Sequence, residues 1–125
     1  MLAKTKSYAL YGLKGFAVDI EVDVSSGLPS FDIVGLADTA VKESKERVRS
    51  AIKNSGRTMP VKHITANLAP ADVKKEGSSL DLALAIGVLV ASGQLEADTN
   101  GIVFLGELSL DGTLRRVNGV LPIMI

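Results

Sequence analysis

The chain has 125 residues, no cysteine, and 14 basic against 14 acidic side chains. This length is typical of a single domain that folds without disulfides or thiolate-bound metal, and the zero net charge means that an electrostatic partner must recognise a local patch. The longest apolar run, 82–91, is about ten residues against the ~20 that cross a bilayer, and no secretory signal is evident, which together favour a cytoplasmic protein without membrane contact.

The first predicted elements are strands. Apolar and acidic residues alternate over 18–24, which predicts a strand with one buried face and one acidic face. A turn is predicted at 27–29, followed by a returning strand at 31–34 that adds Asp32 to the acidic face. Lys4 and Lys6, on a predicted first strand, would face these carboxylates. Strand alternation spreads the carboxylates along a surface, so cross-strand pairing is favoured over the alternative of a divalent metal site.

A helix is predicted from its N-cap, Asp38, to about Asn54, with Gly56 as the C-terminal stop. Basic side chains at three- and four-residue spacing lie away from its apolar stripe: Lys42, Lys45, Arg49 and Lys53. We call these four residues the basic ridge. Like charges at this spacing destabilise a helix by a few tenths of a kcal/mol each, so folding alone does not require the ridge.

Arg57 and Lys62 follow the basic ridge and extend its positive charge. The pattern predicts contact with phosphates or with an acidic protein surface, and an ordinary solvated helix face is the alternative. No aromatic residue interleaves the basic ones, which disfavours base stacking on a single strand and leaves backbone contact. Arg115 and Arg116 extend the candidate nucleic-acid site if folding brings them to the same face.

A further strand is predicted at 63–68, where His63 is the single histidine of the chain and is predicted to be a surface residue rather than a metal ligand. Ser78 or Ser79 is predicted to cap a helix over 80–92 that is apolar almost all round, with Asp81 near the position of a capping box. Gly87 within this helix indicates a close packing contact.

The last predicted elements are a short buried strand at 102–105 and a hairpin around Asp111-Gly112, a typical two-residue turn. Several strands, one amphipathic helix and one buried helix predict a two-layer α+β domain. The chain stops in an apolar segment at 120–125, from which we expect the fold to be truncated at its C-terminal end.

Five segments carry a resemblance to a known family: GLPSFDIVGL at 27–36, AVKES at 40–44, RVRSA at 47–51, ITANLAPADVKKEGSSLDL at 64–82 and GEL at 106–108. In this order they resemble the N-terminal domain of the YifB/ComM family of magnesium-chelatase-like AAA+ ATPases. The resemblance implies a ring-shaped parent ATPase that acts on DNA, with the ComM branch linked to branch migration in recombination and natural transformation. It also implies that residues 1–125 form one N-terminal accessory domain, with the AAA+ module absent.

A second resemblance concerns the fold. KEGSS at 75–79 is similar to the nucleophile loop of Lon-type proteases, and GELSLDG at 106–112 is similar to the strand–turn–strand before their catalytic lysine. The resemblance implies the ribosomal protein S5 domain 2-like (Lon protease-like) class. It places Leu121 where the lysine should be, so the dyad of Ser79 is incomplete. Lys74 and Lys75 are predicted to be exposed, charged loop residues that could not act as the base.

No Gly-x-x-x-x-Gly-Lys-Ser/Thr sequence occurs, so this chain is predicted not to hydrolyse ATP. ATP and magnesium would bind to the parent's motor module, and no cofactor or metal is predicted here. The leading hypothesis is a non-catalytic accessory domain that positions DNA or neighbouring subunits for that motor. The alternatives are a structural oligomerisation module whose loop at 69–77 contacts neighbouring subunits, and a peptidase that uses Ser79.

Overall fold

The computed structural model describes residues 1–11 and 14–115. Their strands are β1 (Leu2–Tyr11), β2 (Lys14–Ser25), β3 (Ser30–Val34), β4 (His63–Ala69), β5 (Glu107–Leu108) and β6 (Leu114–Arg115). Their helices are α1 (Thr39–Lys42), α2 (Ser44–Asn54) and α3 (Asp81–Ala91). The expected mixture of helices and strands is confirmed.

The main sheet has four strands in the order β1-β2-β4-β3. β2 pairs with both β1 and β4 in antiparallel orientation, whereas β3 pairs with β4 in parallel. β3 therefore runs in the opposite direction to β2, as predicted for the returning strand at 31–34, but β4 lies between the two strands. The intervening helices allow this, since a parallel pair needs a crossover connection.

The core lies on one face of this sheet, beneath α2 and α3. Val18, Ile20 and Val22 of β2 are fully buried, as are Ala66 and Leu68 of β4, and the residues between them point to the open face. A Cβ added at Gly87 of α3 would lie 2.6 Å from Val22 Cγ2, which confirms the close contact predicted there. Alternation in the strands thus produces a buried face and a polar face.

The predicted helix over 38–54 is two helices. Asp38 caps the first, since its Oδ1 accepts a hydrogen bond from Val41 N at 2.8 Å. The helices are interrupted at Glu43, where Glu46 N donates to Glu43 O at 3.1 Å in a tighter turn. The next residue, Ser44, is fully buried, and its hydroxyl donates to Asp81 of α3.

Two predictions near the end of the described chain need correction. The segment at 102–105 is not a buried strand: it makes one bridge, between Val103 and Lys6, and Ile102 and Val103 are exposed. The hairpin exists, but its strands pair Glu107 with Arg115 and Leu108 with Leu114, so the connection is 109–113 rather than two residues. Within this connection Ser109 N donates to Thr113 O at 2.7 Å and Gly112 N donates to Ser109 O at 3.0 Å.

Candidate functional site: a basic groove

A groove of about 560 Å³ lies between the C-terminal half of α2, the start of β3 and the segment that leads from α2 to β4. Its lining residues are Pro29, Ser30, Phe31, Arg49, Lys53, Arg57, Thr58, Met59, Pro60, Val61, Lys62 and Ile64. We call it the basic groove, because four of these residues are basic and none is acidic.

The segment 57–62, which forms one wall of the basic groove, is held by hydrogen bonds at both ends. The side-chain amide of Gln94 accepts from Thr58 N at 2.9 Å and donates to Thr58 O at 2.6 Å. At the other end, Ser30 N donates to Lys62 O at 3.2 Å. The wall is therefore fixed to the end of α3 and to the start of β3.

The four cations of the basic groove differ in how far they are already neutralised. Arg49 Nη1 lies 2.7 Å from Glu46 Oε1, in a pair whose side chains are 39% and 72% exposed. Arg57 Nη1 donates to Gln94 O at 3.2 Å, which is a neutral acceptor. Lys53 and Lys62 are exposed, and within the described chain neither side chain makes an ion pair. The groove therefore keeps an excess of positive charge.

The structure brings together only part of the predicted nucleic-acid site. Arg49, Lys53 and Arg57 line the basic groove, whereas Lys42 and Lys45 do not. The interruption at Glu43 places Lys42 on α1, so the basic ridge does not run along one continuous helix. Arg116 and the side chain of Arg115 lie outside the described residues, as does Leu121.

Sequence reasoning missed the apolar lining of the basic groove. Phe31 comes from β3, whereas Met59 and Val61 come from the segment 57–62, and the three share no periodic pattern with the cations of α2. Only the crossing of 57–62 over the start of β3 brings them beside Arg49 and Lys53. The single usable signal was Val61, an apolar residue between Pro60 and Lys62.

A second polar cluster is buried beneath the inner side of α2. Asp81 is fully buried and accepts hydrogen bonds from Arg47 Nε at 2.6 Å, Ser44 Oγ at 2.5 Å and Leu108 N at 3.1 Å. The hydrogen bond with Asp81 raises the pKa of Arg47, although its partial burial acts in the opposite direction. This cluster joins α2, α3 and β5, and we assign it a structural role.

Ser79 and Lys75 do not lie as the sequence predicted. Ser79 is buried, and its hydroxyl donates to Tyr8 O at 2.8 Å instead of capping α3, whose N-cap is Leu80. Lys75 is fully buried and donates to Gly35 O at 2.6 Å and to Pro70 O. The prediction of an exposed Lys75 was therefore wrong.

Burial also changes the acid–base behaviour of Lys75. Desolvation of its amine lowers the pKa, and the nearby charge of Asp72 raises it by less. The main chain of Lys75 bonds to Leu36 O at 2.9 Å and to Asp38 N at 3.0 Å. Lys75 thus joins the loop after β4 to the loop after β3. An exposed Lys75, as predicted from the sequence, could not make these contacts.

The open face of the sheet carries the predicted carboxylates. Lys6 Nζ lies 3.8 Å from Asp19 Oδ1, an exposed cross-strand pair of the predicted kind. Within the described residues, no group of three or more histidine, aspartate or glutamate side chains could hold a metal ion. His63 is half-buried, and its Nδ1 lies 2.6 Å from Ser30 Oγ, so it bridges β4 and β3.

Among the helices that the structure describes, none is both long enough and apolar enough to cross a bilayer.

Comparison with known proteins identifies the family. Residues 20–125 match the family described as subunit ChlI of Mg-chelatase. The chain is 48% identical over 125 residues to the competence protein ComM of Haemophilus influenzae, covering 99% of this chain and 25% of that protein. It is 48% identical over 121 residues to YifB of Salmonella typhimurium, covering 96% of this chain and 24% of that protein.

A more distant relative is Lon protease 2 of Bacillus subtilis, which is 28% identical over 131 residues and covers 91% of this chain and 23% of that protein. The chain therefore spans about a quarter of the length of the relatives that it matches. Since the family match extends over most of the chain, the protein belongs to the Mg-chelatase ChlI-like family, together with the ComM and YifB proteins.

Proposed function

We propose that this chain is a non-catalytic accessory domain that binds the phosphate backbone of DNA through the basic groove. The observation that carries the proposal is a groove with four cations, no acidic lining residue, and two lysines that no carboxylate of residues 1–11 and 14–115 neutralises. Lysine and arginine side chains that displace counterions from phosphates supply most of the sequence-independent affinity for nucleic acid.

The accessory role rests on the size of the chain and on its relatives. The chain corresponds to about a quarter of ComM and YifB, and an ATP-driven motor of the AAA+ type would lie in the rest of such a protein. In this proposal the domain positions DNA or neighbouring subunits for that motor, in recombination or branch migration. The name "competence protein" of the Haemophilus relative is in keeping with a role in DNA handling.

The non-catalytic part of the proposal is supported by the geometry around Ser79. Its hydroxyl donates to Tyr8 O, whereas the amine of Lys75 donates to Gly35 O and Pro70 O. A nucleophilic serine needs a base within hydrogen-bond reach. We infer that the fold is of the S5 domain 2-like (Lon protease-like) type, a proposal that the identity to Lon protease 2 supports.

Salt-titrated fluorescence anisotropy with labelled duplex, single-stranded and four-way-junction DNA tests the proposal. We expect binding that weakens as salt rises and that is lost in the Lys53→Glu/Lys62→Glu variant. The matched control is Lys42→Glu/Lys45→Glu, which changes the charge equally but lies outside the basic groove. Absence of binding at low salt, or equal losses in the two variants, would contradict phosphate binding by the groove.

A second candidate function is subunit contact at the β3 edge of the sheet. Val34 and Leu36 are 45% and 55% exposed, and Leu36 O is bonded to Lys75 of the loop at 69–77. Exposed apolar side chains beside an edge strand are typical of association surfaces. Mass measurement over a range of concentrations tests this candidate: oligomers that dissociate in Leu36→Asp support it, and a strictly monomeric chain contradicts it.

A further inference from the structure

Half of the residues that line the basic groove are apolar and cannot bind phosphates. Six of its twelve residues are apolar: Pro29, Phe31, Met59, Pro60, Val61 and Ile64. Val61 is 79% exposed, although it lies between Pro60 and Lys62 in a segment that hydrogen bonds fix at both ends. Phosphates need cations and not an apolar wall, so the ligand of this groove should carry both anionic and apolar groups.

Unpaired nucleotides combine these two properties. Each nucleotide has a phosphate beside a base with two apolar faces, whereas in a duplex those faces are covered by neighbouring bases. We propose that the basic groove holds unpaired bases of single-stranded nucleic acid, with phosphates at Lys53 and Lys62 and base faces against Met59 and Val61. This inference rests on the proposed function of the same groove and names the form of nucleic acid that it takes.

The arginines of the groove add to the surfaces available to a base. Guanidinium planes stack on bases as aromatic rings do, so Arg49 and Arg57 can take the place of the aromatic residues that the basic segment lacks. The volume of about 560 Å³ lies within the roughly 300–1,000 Å³ of sites that enclose a small organic group. These surfaces make base contact available in addition to the backbone contact that the sequence pattern favoured.

An acidic peptide would also match the charge of the groove, but it fits the remaining lining less well. A peptide main chain needs hydrogen-bond partners, because leaving its polar groups unpaired is unfavourable. The two hydroxyl-bearing residues of the lining already have hydrogen-bond partners within the fold. Ser30 Oγ lies 2.6 Å from His63 Nδ1, and the main-chain N–H and C=O of Thr58 are bonded to the side chain of Gln94. Base faces need no such partners.

The test compares three labelled ligands of equal length by anisotropy at one salt concentration: oligothymidylate, an abasic deoxyribose-phosphate strand and a duplex. The first two carry the same phosphates and differ only in the bases. We expect oligothymidylate to bind about three- to tenfold more tightly than the abasic strand, because only bases bury the apolar wall. Polyglutamate of equal charge should be a weak competitor.

Variants of exposed residues locate the effect without disturbing the fold. Val61→Ser should remove most of the preference for oligothymidylate and leave the salt dependence unchanged, since no cation is lost. Val103→Ser is the matched control, because Val103 is also exposed but lies beside β1, at the sheet edge opposite β3. It should leave the preference intact.

The outcomes separate this inference from the proposed function. Equal affinity for oligothymidylate and the abasic strand would overturn base binding and leave phosphate binding standing. Competition by polyglutamate as strong as that by oligothymidylate would also overturn it. Absence of binding to all three ligands would contradict the proposed function itself.

Discussion

Arg47 and Arg49 lie two residues apart on α2 and have opposite surroundings. Arg47 points inward, where Nε lies 2.6 Å from the fully buried Asp81. Arg49 lines the basic groove, and its only ion pair in the described chain is with the exposed Glu46. The Arg47–Asp81 pair serves architecture, because its charges are neutralised within the fold, whereas the basic groove beside Arg49 also holds Lys53 and Lys62, which have no ion pair in the described chain and are available to a ligand.

The largest expected effect is on the inner side of α2. Asp81→Ala removes the acceptor of Arg47, Ser44 and Leu108 N, and breaking a buried pair from one side costs about 3–5 kcal/mol of unfolding free energy. Urea denaturation of the native chain and of Asp81→Ala measures this loss of unfolding free energy. Asp81→Asn, which keeps the volume and some hydrogen bonds, should lose less. A loss below ~1 kcal/mol for Asp81→Ala would show that Asp81 is not structurally important.

Lys75 is a buried cation of the same architectural kind. Lys75→Met removes the amine that donates to Gly35 O and Pro70 O. Pro70 O keeps a long hydrogen bond of 3.5 Å from Val73 N, so the cost arises mainly at Gly35 O, since an unsatisfied buried group costs about 1–3 kcal/mol. Because burial lowers the pKa of Lys75 below its ordinary 10.5, the folded chain releases this proton at a lower pH than the unfolded chain.

The pH dependence follows from that difference. Between the folded-state pKa and 10.5, the unfolded state binds more protons at this site, so the contribution of Lys75 to stability rises with pH. The stability difference between the native chain and Lys75→Met should therefore grow as pH approaches 10.5. Denaturation at several alkaline pH values measures it, and a difference that shrinks with pH would contradict the lowered pKa.

Substitutions in the basic groove should have a small effect on stability and a large effect on DNA binding. Lys53→Gln/Lys62→Gln removes two exposed cations that have no ion pair in the described chain, so stability should change by no more than ~0.5 kcal/mol. The slope of log affinity for DNA against log salt should fall by about 2, one for each phosphate contact. Anisotropy and urea denaturation of the same preparation measure both quantities. An unchanged slope would remove these lysines from the contact.

The smallest effect is expected at the exposed pair of Arg49. Glu46→Gln frees the guanidinium from its neighbour, and an exposed pair of this kind contributes roughly 0–1 kcal/mol to stability. DNA affinity should rise by about twofold, because a negative charge beside the groove is removed. A fall in affinity would indicate that Glu46 orients Arg49 for binding.

The local elements could be predicted from sequence better than their arrangement. Alternation over 18–24 and the Asp38 N-cap gave the correct strand and helix start, because both depend on neighbouring residues. The insertion of β4 between β2 and β3 could not be predicted, since strand order is decided by packing between distant segments. The family resemblance was confirmed by the comparisons.

Sequence analysis identified cations of the candidate site but not its apolar lining. The spacing of Arg49 and Lys53 on one side of a helix is a local property, so sequence identified these cations. The environments of Lys75 and Asp81 were misjudged, because whether a charged side chain is buried depends on what packs over it. Asp81 carried a signal that was read as capping: a single acid in an otherwise apolar segment.

The side chain of Gln94 has a consequence for the speed of recognition. It bonds to both main-chain groups of Thr58, so the wall formed by 57–62 has its shape before any ligand arrives. A rigid wall loses little conformational freedom when it is occupied, and encounter need not wait for a loop to rearrange. Gln94→Ala should therefore slow association in stopped-flow experiments, although Gln94 does not line the groove.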